Sequence, residues 1–297
     1  MAPRCTPFVL ALLLLSGCGR ARRDAAADSM PPSSRAGQDA AVAGTASQWD
    51  PDAGSALLIA GDTPVSGVVT APDSANATTQ LGAIPRPASA TLLGRGGTVQ
   101  NADLQAPAPP FDACQPWTIS AAPPPKPWSV GFIGGVVTPL PMDSAEAFSR
   151  ADSAALAVAA TRLASALPND SAGRFTALPF TVRSMWRFAI PQGPQVLVAT
   201  LLRQINQEAT PLEERTLIVA ERPASDADFV TAYAERSHGN EETIESREIL
   251  AAVLLGANHT PTIVLARDYG DATAFSLVER DTQGKWRTRW TSARRHC

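Results

Sequence analysis

The sequence predicts an α+β fold dominated by β structure: an antiparallel sheet from two tandem β-meander repeats, at least one packed helix, and a disordered tether ahead of them. Three observations predict it. Residues 19 to about 110 are dominated by Ala, Gly, Pro, Ser, Thr and Asp, a composition that buries too little apolar area to offset its ordering entropy. From residue 175 onward, alternating and continuous apolar runs replace that composition. Two of these stretches then follow one another segment by segment. Five of the six tryptophans lie after residue 110, so the core is expected in the C-terminal two-thirds.

The net charge of -3 is small, and nothing points to nucleic acid or a polyanionic substrate. Of the 25 basic residues, only Lys126 and Lys285 are lysines. With abundant Ala and Pro, that usage suggests coding bias.

The chain starts with a short basic region, Met1 to Arg4, then nearly unbroken hydrocarbon from Phe8 to Leu15, then Ser16 and Gly17. The apolar run falls short of the roughly 20 residues a spanning helix needs and fits a signal peptide over 1–17. Leu15-Ser16-Gly17-Cys18 resembles a bacterial lipobox, in which the cysteine is acylated and becomes the new first residue. The resemblance implies a lipid anchor at Cys18 and hence a membrane as partner. Two or more acyl chains hold stably, at roughly 0.8 kcal/mol per buried CH₂. Gly19 stands where such proteins carry an inner-membrane retention Asp, so the resemblance favours the outer membrane. Arg20, Arg22 and Arg23 are read as an ordinary mature N-terminus.

Four cysteines are present. Cys5 leaves with the signal peptide and Cys18 takes the lipid. Cys114 and Cys297 remain in an exported, oxidising setting, where two cysteines usually pair. A bridge between them staples the ends of the folded region and is worth roughly 4–5 kcal/mol in the chain-entropy model. A metal pair lacks a third ligand nearby. A reactive thiol at Cys297, beside Arg294, Arg295 and His296, is the competing account.

The elements follow in order. Residues 18–110 read as the lipidated N-terminus and tether, with a root-mean-square reach of roughly 50 Å for about 90 flexible residues. Ser55 to Ala60 and Thr91 to Leu93 are apolar enough to form transient or docked strands. The globular domain is expected over 111–297. Pro123-Pro124-Pro125-Lys126-Pro127 is a stiff connector. Trp128, Val130 and Phe132 alternate as a half-buried strand that Gly134-Gly135 breaks. Asp152 is a helix N-cap; Leu156, Ala160, Leu163 and Leu167 recur at helical spacing, and Pro168 ends the run. Trp186, Phe188 and Ile190 then share one face of a strand. Val196 to Leu202 is a continuous apolar run, as in a strand buried on both faces.

The repeat pairs Val196–Leu202, Thr216–Arg222 and Phe229–Arg236 with Ile249–Leu255, Thr262–Asp268 and Phe275–Arg280. The copies are placed at 195–247 and 248–291, a period of roughly 45–55 residues that suits a meander. The second copy resembles FG-GAP-type propeller repeats, where an apolar strand leads into an Asp-rich turn. Here the turn, Gly256-Ala257-Asn258-His259-Thr260-Pro261, lacks the carboxylates calcium prefers, so no calcium is implied. Two copies are too few for a closed propeller. One twisted antiparallel sheet with a helix on one face is expected. In the last strand, period two puts Trp286, Thr288 and Trp290 on one face and Lys285, Arg287 and Arg289 on the other.

Catalytic patterns are few. No nucleophile elbow or Walker loop occurs, no histidine motif implies a metal, and no cofactor is expected. Glu235, Glu241, Glu242, Glu245 and Glu248 would act as acid and base only if brought about 5–10 Å apart around a substrate. Asn206, Gln207 and Glu208, in a loop of the first repeat, together with Arg287 and Arg289, form a candidate binding surface. Thr210-Pro211-Leu212-Glu213 reads as a capped helical turn. The expectation is a lipid-anchored, non-enzymatic envelope module that contacts other envelope proteins. An envelope hydrolase using the 235–248 carboxylates, or a carrier of small ligands or lipid, is the alternative.

Overall fold

Strands form wherever apolar side chains recur at every second position, and that pattern starts well before residue 110. The computed structural model describes residues 48–297 apart from Ala113 and the segments 169–172, 207–210 and 224–226. The segment 1–17 read as a signal peptide, Cys18, Gln207 and Glu208 lie outside the described residues. Six strands, β1 (Ala56–Ala60), β2 (Ser66–Thr70), β3 (Ala88–Leu93), β4 (Val99–Gln105), β5 (Pro116–Ser120) and β6 (Val130–Ile133), close an antiparallel barrel in the order β1-β2-β5-β4-β3-β6. The stretch from 48 to 110 is therefore not tether. Its composition misleads because a narrow barrel needs small residues inside. Ala56, Ala88, Ala90 and Ala102 line the interior beside Leu58, Leu92 and Leu104. The bulky filling, Trp117 and Trp128, comes from beyond residue 110. At Gly67 an added Cβ would meet the Trp128 ring and the Ile59 carbonyl at 2.8 Å. Helix α1 (Ala77–Ala83) brings Leu81 to the same core.

Past the barrel run β7 (Val137–Leu140), β8 (Asp143–Ser144) and helix α2 (Arg150–Ala166). The helix is capped by Ser149, whose Oγ accepts from the Asp152 N–H. Asp152, expected to be the cap, thus lies inside the first turn, three residues past the actual cap. A serine in extended conformation satisfies that N–H as well as an aspartate would.

Eight longer strands follow: β9 (Thr181–Ala189), β10 (Gln195–Ile205), β11 (Leu212–Arg222), β12 (Val230–Asn240), β13 (Ser246–Leu255), β14 (Thr260–Asp268), β15 (Thr273–Arg280) and β16 (Trp286–Thr291). Together with β7 and β8 they form two five-stranded antiparallel sheets, β8-β9-β10-β11-β12 and β7-β13-β14-β15-β16. The repeat is present as β10-β11-β12 against β13-β14-β15, but the copies make two facing sheets where one was expected. The reason lies in the apolar runs: Ile249–Leu255 is buried throughout, and Val196–Leu202 everywhere but at half-buried Thr200. A strand buried on both faces needs cover on both sides. His238-Gly239-Asn240 belongs to β12, and Leu212-Glu213 opens β11 instead of a helical turn.

The result is four layers. The outer wall of the barrel (Leu57, Leu93, Val130, Phe132) packs on Val253, Leu255, Leu277 and Trp290 of the second sheet. The other face of that sheet meets the first sheet through Val196, Val198, Leu217, Ile263, Leu265 and Trp286. Leu156, Ala160 and Ala164 of α2 cover the far side of the first sheet, on Leu197, Ala199 and Ile218. A bulge at the pairing of Leu277 and Val278 with β16 breaks the alternation expected there. Trp286 joins the inter-sheet core, while Trp290 turns to the barrel side and meets Trp49 edge-on at 4.8 Å.

Cys114 and Cys297 lie at disulfide distance, S–S 2.12 Å and Cα–Cα 5.6 Å. The bridge ties the β4–β5 connection to the C-terminal residues. There, Arg295 donates to the Val69 carbonyl of the barrel and pairs through its backbone with Thr273. Burial lowers the Arg295 pKa to about 10. Among the described residues, no helix is long and apolar enough to cross a membrane.

Candidate functional site

Toward one end of the two sheets, the facing positions change from apolar to charged. On β11, Val219 and Leu217 give way to Arg215 and Glu213; on β13, Ile249 gives way to Arg247; on β14, Leu265 gives way to Arg267. The period of two is kept, so these charges project into the space between the sheets.

Two of them, Arg247 and Arg267, form a closed ring with Glu235 and Glu245. Arg267 reaches Glu235 of β12 and Glu245 at 2.6 Å each. Arg247 reaches the same two carboxylates at 2.6 and 2.8 Å. Arg267 Nε also donates to Ser276 Oγ at 2.8 Å, and Arg247 to Ser237 Oγ at 3.2 Å. The Tyr233 hydroxyl donates to Glu235 and shares a 2.7 Å hydrogen bond with Thr288.

Burial alone would raise the Glu235 pKa. The hydrogen bonds and charge of Arg267, the charge of Arg247 and the Tyr233 hydroxyl outweigh it and bring the group down to about 2. Burial, then the neighbouring Glu235 charge, pushes the Tyr233 phenol well above its ordinary value. Arg267, despite burial, is held more firmly protonated by Glu235 and Glu245. A general acid or base works best with a pKa near the operating pH, and neither Glu235 nor Tyr233 is close to it. Of the other carboxylates singled out in the sequence, Glu248 pairs with Arg95 of the barrel, while Glu241 and Glu242 are exposed on the β12–β13 turn.

Beside the ring is a cleft of about 350 Å³. Its polar walls are Arg183, Glu213, Arg215, Ser246 and Arg247, with Leu202 and Leu217 among its apolar residues. The cleft exists because the edges are uneven. β8 pairs with β9 only at Arg187 and Trp186, and β7 pairs with β13 only from Ala252 to Leu255. On this side the two sheets therefore stay open between the starts of β9 and β13. Arg215 organises the rim: Nε donates to Glu213 at 2.7 Å, and its terminal nitrogens donate to the carbonyls of Ile244 and Glu241 at 3.0 and 3.1 Å. Reading 210–213 as a helical turn hid this site. The available signal was the placement of Glu213 and Arg215 in phase with Leu217 and Val219.

The surface proposed from the sequence is not gathered together. Asn206 is exposed at the end of β10, and Gln207 and Glu208 are outside the described residues. Arg287 is exposed on β16, while Arg289 turns back to Glu279 at 3.9 Å and Gln48 at 3.3 Å. No described contact joins Asn206 to either arginine. The space between the sheets, where a carrier would hold an apolar ligand, is occupied by Trp186 and Trp286. A second, wider cleft of about 910 Å³ opens beside Trp49, Pro72, Ile84 and Pro87. Among the described residues, no cluster of three or more His, Cys, Asp or Glu side chains could hold a metal ion. No protein-family model, no curated protein and no solved structure matches this chain.

Proposed function

We propose that this chain is a lipid-anchored, non-enzymatic binding module of the bacterial cell envelope. The signal peptide directs export, Cys18 carries the acyl chains, and the outer membrane is the destination. The folded region presents the inter-sheet cleft to other envelope components. The observation that carries this reading is the cleft itself: its arginines and carboxylates hold one another in place before any ligand arrives. Side chains fixed in advance lose little entropy on binding, which favours recognition. The same clamping leaves Glu235 and Glu245 bound to arginines, which weighs against acid–base work.

The test is photo-cross-linking in intact cells. A photoreactive residue replaces Ser246 at the cleft or, as control, Val158 on the exposed face of α2. Each is placed in the natural chain and in Cys18→Ala. The expected result is a discrete adduct from position 246 alone, reduced when the anchor is removed. The same adducts from both positions, or none from 246, would count against a binding module.

A further inference from the structure

We infer that the inter-sheet cleft takes a small, uncharged, polyhydroxylated ligand: one or two neutral sugar rings. This rests on the binding-module reading and specifies its ligand. The first argument is charge. The cleft and the adjoining ring contain four arginines (183, 215, 247, 267) and four glutamates (213, 235, 241, 245), which sum to zero. Arg215 and Arg247 already have carboxylate partners. At Arg215 or Arg247, a charged ligand would either displace one of these partners or sit uncompensated in a partly desolvated space, which is costly. A neutral ligand meets neither obstacle.

The second argument is unused hydrogen-bonding capacity. Glu213 is nearly fully buried at 3% side-chain exposure, and its Oε2 accepts from Arg215. Its Oε1 has no hydrogen-bond partner among the described residues. Arg215 has five N–H donors, and only three are used, toward Glu213, Ile244 and Glu241. The Ser246 hydroxyl has no hydrogen-bond partner among the described residues either. An acceptor next to donors matches a vicinal diol, since every hydroxyl both donates and accepts. The side chains of Leu202 and Leu217 supply the apolar surface on which the C–H face of a sugar ring can rest. A volume of about 350 Å³ lies at the small end of ligand sites.

The experiment is calorimetric titration of the full chain, solubilised in a polyoxyethylene detergent so that no glycosidic detergent competes. Cellobiose and N-acetylglucosamine are the neutral probes; glutamate and glucosamine are the charged ones. The expected result is saturable, millimolar binding of a neutral probe and weaker or no binding of the charged ones. Glu213→Gln should weaken binding about tenfold, the scale of one lost charge-assisted hydrogen bond. Should that variant melt early, Ser246→Trp decides. It fills the cleft from its rim and should abolish binding with the melting temperature unchanged. No heat from either neutral sugar, or tighter binding of a charged probe, overturns the ligand class. If that happens while the cross-link from position 246 persists, only the ligand class is lost. If both fail, the binding-module reading fails with it.

Discussion

Glu235 is kept ionised by side chains from four strands: Tyr233 on its own strand, Arg247 on β13, Arg267 on β14 and Thr288 on β16. Its folded pKa, about 2, lies below the ordinary 4.5. A depressed carboxylate contributes stability that is complete above the unfolded value and is lost as pH falls from there through about 2. A shift of that size corresponds to about 3 kcal/mol. Glu235→Gln leaves Arg247 and Arg267 short of a counter-charge, and breaking a buried pair from one side costs about 3–5 kcal/mol. Urea unfolding should show the variant weaker at pH 7, and the gap to the natural chain should close between pH 5 and pH 2. Parallel stability curves over that range would contradict the ring. At this scale, the sequence marked Glu235 and Glu245 as notable but not their arginine partners. Arg267 meets Glu235 and Glu245 from 32 and 22 positions away, and only the register of β12, β13 and β14 brings them together.

At the level of elements, the sandwich strands were legible, whereas of the barrel only β6 was read as a strand and β1 and part of β3 as possible ones. Val196–Leu202 and Ile249–Leu255 announce themselves because burial on both faces demands continuous hydrocarbon. β4 (Val99–Gln105) buries only Ala102 and Leu104, so its sequence looks like linker. Its partners in the core, Trp117 and Trp128, are read from other strands. β16 illustrates a second limit. Period two assigns Trp290 to the face of Trp286, but one extra residue in the bulge moves it to the opposite face. There it fills the junction between barrel and sheet, donates to the Pro72 carbonyl at 2.7 Å and braces Trp49. Trp290→Ala should cost about 3–5 kcal/mol, as for a large buried aromatic. Hydrogen exchange should quicken in the segment around Trp49 as well as in β15. A loss below about 1 kcal/mol, the range of surface substitutions, would show that the layers hold without it.

For the folded region as a whole, the described residues stack as barrel, sheet, sheet and helix, and the Cys114–Cys297 bridge ties the barrel to the last residues of the chain. That bridge was legible from the cysteine count and the expected export. The cleft was not, because it arises where the short strands β7 and β8 fail to cover the longer β13 and β9. Uneven strand length across two sheets is a property of their pairing. On the proposed anchoring, what the cleft meets in the cell depends on Cys18. The most direct measurement is metabolic labelling of intact cells with an alkyne-bearing palmitate, followed by membrane fractionation of the natural chain and of Cys18→Ala. The natural chain should take up the label and sediment with the outer membrane, while the variant stays unlabelled and leaves the membrane fraction. An unlabelled natural chain, or a variant that is labelled and retained equally, would contradict a module anchored through Cys18.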